Sequence, residues 1–134
     1  MRLEWEIGSG IRIIMGDVVV RAELSDTACA RKIIEALPIE ARPDEWGDEF
    51  YFGIPVRADL DETATEEVKV GDIGYWPPGR ALAIFFGPTP MSTGPEPVPA
   101  SKVNIVGRIV GDAVLLKSAK GSKRIRIEMT GGDG

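Results

Sequence analysis

The sequence predicts a mainly β protein: a small closed antiparallel barrel of about eight short strands, with one or two helices over its ends. Three observations lead there. Apolar and polar residues alternate with a period of two along most of the chain, the pattern of strands with one buried face. Only residues 25–37 carry a clear helical spacing. Closure is the arrangement that leaves many short strands without exposed edges.

Taken in order, Leu3, Trp5 and Ile7 alternate with Arg2, Glu4 and Glu6, and Gly8-Ser9-Gly10 then reads as a hairpin turn. Residues 11–15 resume the alternation, Gly16-Asp17 interrupts it, and Val18, Val20, Ala22 and Leu24 share the next face. Ser25-Asp26-Thr27 supplies capping oxygens for a helix. Its stripe of Ala30, Ile33, Ile34 and Leu37 follows i, i+3, i+4, i+7, and Pro38 stops it. One apolar stripe suits a helix lying over a sheet or a barrel mouth.

Residues 40–48 read as a loop. Residues 49–56 read as a strand with Phe50, Phe52 and Ile54 on one side, and residues 59–67 as an acidic connection. A strand with a turn at Gly71-Asp72 is expected over 68–76, and a strand buried on both faces over 81–86, where the apolar run is continuous. Residues 87–101 hold five prolines and form a long surface loop. Another strand is expected over 103–110, a helical turn within 114–120, and a last strand where Ile125, Ile127 and Met129 alternate with charges. The chain is therefore expected to form one domain over 1–129, with a frayed tail over 130–134.

Composition narrows the function classes. The chain has 134 residues, enough to bury a core without metals or cross-links. A net charge of −5 argues against nucleic acid as the main partner, because phosphate binding needs a basic face. The lone Cys29 cannot form an internal disulfide, no run of apolar residues is long enough to span a membrane, and the N-terminal residues lack the apolar core of a signal peptide. A cytoplasmic protein is expected. There is no histidine, which removes Ser-His-Asp and Cys-His catalysis and histidine-bound zinc.

Several clusters have an ordinary explanation. A calcium loop starting at Asp59 would need glycine sixth and glutamate twelfth, but Ala64 and Val70 stand there. No metal and no cofactor is expected. Lys117, Lys120, Lys123, Arg124 and Arg126 read as a solvated basic hairpin, Cys29 as a small filler, and Asp44, Glu45, Asp48 and Glu49 as a wet turn around Trp46-Gly47. The aromatic set is different. Tyr51, Phe52, Tyr75, Trp76, Phe85, Phe86 and Met91 fall in two segments, and Trp76-Pro77-Pro78-Gly79 is hard to bury because proline supplies no backbone donor. An aromatic on a rigid loop suits a groove for an apolar or proline-bearing ligand.

At these residues the chain resembles a known family. GDIGYWPPGRALAIFFGPTPMS over 71–92 and PASKVNIVGRIV over 99–110 are similar to the small prokaryotic cyclophilin-like proteins of archaeal and thermophile type, and the resemblance covers residues 1–129. It implies a cyclophilin-like barrel of about eight antiparallel strands. True cyclophilins are peptidyl-prolyl isomerases that use an arginine, other polar groups and an apolar pocket. Aligned on their motifs, Phe52 stands at the catalytic arginine, Ile84 at a substrate-binding glutamine and Val103 at a pocket histidine, while the pocket phenylalanine is kept as Phe86. The pocket tryptophan is replaced near Val98. Loss of one preorganised donor typically costs about 10²–10³ in rate, so little isomerase activity is expected.

The resulting expectation is a binding module for a prolyl peptide or small apolar ligand, lined by Phe52, Tyr75, Trp76, Phe86 and Met91, with Arg80 as anchor. An atypical prolyl isomerase using Arg80 as its catalytic residue is the alternative. The proline loop also offers a surface to a partner or a second copy of the chain.

Overall fold

The structure is a computed structural model that describes residues 9–130. The strand expected over 3–7 and the end of the expected tail, 131–134, lie outside the described residues. The elements run β1 (Ser9–Met15), β2 (Val18–Leu24), α1 (Ala28–Ala36), β3 (Ile39–Ala41), β4 (Asp44–Glu45), β5 (Glu49–Gly53), β6 (Ala64–Thr65), β7 (Asp72–Trp76), β8 (Ala81–Phe85), β9 (Val103–Val110) and β10 (Ile125–Met129). Two 3-10 segments, Pro77–Gly79 and Ala113–Ala119, complete the set.

All the ladders are antiparallel, in the order β3-β10-β1-β2-β9-β7-β8-β5-β4, with β6 paired to β9. This corrects two expectations. Among the described residues the sheet has ten strands rather than about eight, and the hydrogen-bonded path does not close on itself. Its two ends, β3 and β4, are consecutive in the chain and separated only by Arg42 and Pro43. No ladder joins these two ends, and the chain itself spans the seam between them. Pro43 has no N–H to donate there.

The strongly periodic elements lie where the alternation put them. β1 and β2 form a hairpin about Gly16-Asp17, with Gly16 at φ +60°, a left-handed conformation that glycine adopts at little cost. Ser9 and Gly10, expected in a turn, instead extend β1 and pair with Leu24 and Glu23. The α1 N-cap is Thr27, whose Oγ1 accepts from the Ala30 N–H at 3.1 Å, and Cys29, Ala30 and Ile33 face the core. β3 and β4 occupy what composition marked as a loop. Backbone pairing of Ile39 with Ile127 and of Asp44 with Tyr51 overrides the polar side chains. Thr130 is not frayed: its N–H and its hydroxyl both donate to the Gly10 carbonyl.

The main core lies on one face of the sheet and includes Ile11, Ile13, Leu24, Ile33, Phe50, Phe52, Ile73, Tyr75, Leu82, Ile84, Phe86 and Ile127. A second, smaller apolar cluster of Val68, Ala83, Phe85 and Val103 lies on the opposite face, flanked by Tyr51, Trp76 and Ile105. β8 is buried along its whole length because it serves both, as its continuous apolar run predicted. No helix among the described residues is long and apolar enough to cross a membrane.

Candidate functional site

Strand register builds the site. β5 and β8 pair so that Glu49 lies opposite Phe85 and Tyr51 opposite Ala83, while Phe50 lies opposite Ile84 and Phe52 opposite Leu82. Directly paired residues project to the same side of a sheet, and successive residues to opposite sides. One face therefore carries Glu49, Tyr51, Ala83 and Phe85, and the other joins the main core. In β7, Trp76 and Gly74 share the outer face, and Ile73 and Tyr75 the inner one.

The outer face floors a cavity of about 250 Å³. Glu49, Tyr51, Ala83, Phe85 and Val103 form its base, and Trp46, Trp76, Pro99 and Ala100 its walls. Gly74 makes room for the base, since a Cβ there would lie 2.8 Å from Val103 Cγ2. The proline loop is a shaped wall. The Thr89 hydroxyl donates to the Val98 carbonyl at 2.5 Å, the Ser92 hydroxyl donates to the Glu96 carbonyl at 2.6 Å, and the Trp76 indole N–H donates to Ser101 Oγ at 2.7 Å. On the far side, the Trp46 turn packs against this loop. Gly47 has φ +62°, and a Cβ there would lie 2.9 Å from the Pro88 carbonyl oxygen.

Glu49 is the polar feature of the cavity. It is 7% exposed, and among the described residues it is the one buried acid. Its Oε1 has no hydrogen-bond partner. Burial pushes its pKa up to about 7, because loss of water penalises the charged form. A buried polar atom without a partner is uncommon and costly, and a cavity is where a ligand could supply one. The other three acids of the cluster are spent elsewhere or exposed. Asp48 receives Lys120 Nζ at 2.8 Å and has Lys117 Nζ at 3.6 Å; Glu45 accepts from the Gly121 N–H at 2.6 Å; Asp44 is exposed. The wet-turn reading of this cluster thus needs correcting at Glu49.

Of the six residues expected to line a groove, only Trp76 lines this cavity. Phe52, Tyr75 and Phe86 are buried in the main core. Phe86 packs against Phe50 with ring centroids 4.6 Å apart. The Tyr75 hydroxyl donates to the Val56 carbonyl at 2.6 Å and accepts from the Ala58 N–H at 3.2 Å. Met91 is exposed on the proline loop, and Arg80 is exposed with φ 45° after the Pro77–Gly79 turn. The expected positions thus lie one residue out of phase with the cavity: Tyr51 and Phe85 face it where Phe52 and Phe86 were expected. Glu49 was missed. Its signal was its phase, since it shares a strand face with Tyr51.

The other clusters have structural uses. Burial raises the Cys29 thiol pKa, as suits a filler. Arg126 pairs with Glu40 and Glu128, and Arg124 with Glu40. In the acidic connection, Asp61 Oδ1 accepts from the Thr63 N–H and hydroxyl, and buried Asn104 ties the segment down by donating to the Asp59 carbonyl at 2.9 Å.

Comparison with known proteins gives three findings. A family model described as cyclophilin-like matches residues 9–128. The solution structure of the hypothetical protein AF2241 from Archaeoglobus fulgidus is similar at a TM-score of 0.76 and 35% identity, over 91% of this chain and 95% of that one. The structure of McbB in complex with tryptophan is similar at a TM-score of 0.68 and 15% identity, over 92% of this chain and 46% of that one, a likeness of fold alone. No curated protein matches the sequence.

Proposed function

The chain belongs to the cyclophilin-like family, and from that premise we propose that it is a small-ligand binding module whose site is the outer cavity. The occupant is an apolar ring, either aromatic or the ring of a prolyl peptide. The observation that carries this is the pairing of an aromatic-walled cavity with a buried carboxyl oxygen that lacks a partner. Ligand sites are typically concave and mostly apolar, with a few polar groups that fix orientation. At about 250 Å³ the cavity suits one ring with a short substituent rather than an extended peptide.

Nothing favours the isomerase alternative. The lining contains no arginine or lysine, and Arg80 is not part of it.

Amide and indole NMR shifts, followed while adding prolyl dipeptides, small aromatic amines and alcohols, and tryptophan, test the proposal. Tryptophan is included because it is the ligand in the McbB structure. Perturbations confined to Trp46, Tyr51, Trp76 and Phe85 are expected. Ala100→Trp, which places a bulky ring at an exposed position of the rim, is expected to abolish them without unfolding the chain. Perturbations centred on Met91 and Arg80, or none at all, would sink the reading.

A further inference from the structure

We infer that the outer cavity selects a ligand that carries a protonated amine beside its apolar ring, with Glu49 as the charge partner. The inference rests on the cavity being a ligand site, and it names the class of ligand.

Three observations converge on a cation. First, Glu49 lines the cavity, and its buried Oε1 receives no hydrogen bond from the protein. A ligand N–H could donate to this carboxyl, and charge-assisted hydrogen bonds are the stronger kind. Second, the lining supplies the rings of Trp46, Tyr51, Trp76 and Phe85 around the carboxyl. The faces of aromatic rings attract cations, most strongly where water is excluded. Third, no lysine or arginine lines the cavity to compete for the carboxylate, and the chain carries a net charge of −5, which favours the approach of a cation. Asp48, next in the chain, cannot take this role because Lys117 and Lys120 already neutralise it.

A neutral carbonyl ligand would make different demands. It could take a hydrogen bond from the protonated carboxyl only below about pH 7, and it would draw no cation–π attraction from the ring faces. An anionic ligand would meet a buried acid with no compensating cation.

Benzylamine and benzyl alcohol form a matched probe pair, equal in ring and reach but different in charge. Their affinities for wild type and for Glu49→Gln are read from the indole and amide shifts of the cavity residues. Benzylamine is expected to bind wild type at least about tenfold more tightly than benzyl alcohol, as a charge-assisted hydrogen bond implies. Glu49→Gln is expected to remove that preference, and dispersed amide shifts together with an unchanged urea midpoint at low pH show that the variant is folded. Equal binding of both probes to wild type, or a preference that survives Glu49→Gln, overturns the inference and leaves the cavity as a neutral apolar site. Binding of neither probe removes the ligand site itself, and the inference with it.

Discussion

Glu49 stands directly opposite Phe85 in the β5–β8 ladder, so the buried acid and the aromatic floor of the cavity are cross-strand neighbours on one face. A one-residue slip of β5 would turn Glu49 into the main core, and one of β8 would turn Phe85 away from the cavity. The register is held by Phe50 and Ile84 on the opposite face, both completely buried. Site and core are therefore built by the same hydrogen bonds.

That coupling has a consequence for pH. Above about 4.5, the ordinary glutamate value, the unfolded carboxyl gives up its proton, whereas the folded one keeps it until about 7. The folded state therefore holds the extra proton in this window, and stability falls as pH rises through it, then levels off above about 7. The drop is on the order of 3 kcal/mol. Urea unfolding at several pH values should show this decline in wild type relative to Glu49→Gln, which cannot titrate there. Parallel curves for the two proteins would contradict it.

Tyr75 provides a contrast within one segment, because it faces the core where neighbouring Trp76 faces the cavity. Tyr75→Phe strips the Val56 carbonyl and the Ala58 N–H of their hydroxyl partner. The expected loss is about 1–3 kcal/mol of stability, measured by thermal or urea unfolding. Benzylamine affinity should not change. A variant as stable as wild type would show that these hydrogen bonds are not formed.

Gly74 is a packing requirement of the cavity. In Gly74→Ala the new Cβ would lie 2.8 Å from Val103 Cγ2 and 3.0 Å from Val103 Cβ, so Val103 must move. Overpacking of this kind costs about 1–3 kcal/mol. Because Val103 lines the cavity, both the urea midpoint and the benzylamine affinity are expected to fall. A variant that loses stability but keeps its affinity would show that Val103 relaxes away from the cavity.

Most of the fold was legible where a single rule dominated. Ile125, Ile127 and Met129 alternate strictly and form β10; Thr27 and the stripe from Ala30 mark α1; the apolar run from Ala81 marks a strand covered on both faces. β3, β4 and β6 were not legible, because segments of two or three residues are too short to show alternation and become strand only through their partners on β10, β5 and β9. The same limit hid the cavity. Apart from Glu49, both faces of β5 and β8 are apolar, so apolar alternation alone could not say whether Phe85 or Phe86 points inward. The missing information was the position of α1 and the flanking strands, which place the larger core on the side of Phe86. Glu49 was the one residue that broke the ambiguity, since an acid in phase with Tyr51 marks the face away from the main core.

The most direct measurement is the titration of the Glu49 side-chain carboxyl by carbon-13 NMR, with and without benzylamine. A midpoint near 7 is predicted for the free protein, moving to lower pH with benzylamine because a neighbouring cation favours the charged form. A midpoint in the usual range of about 4–5, unmoved by benzylamine, would mean that the carboxyl is solvated and takes no part in a ligand site.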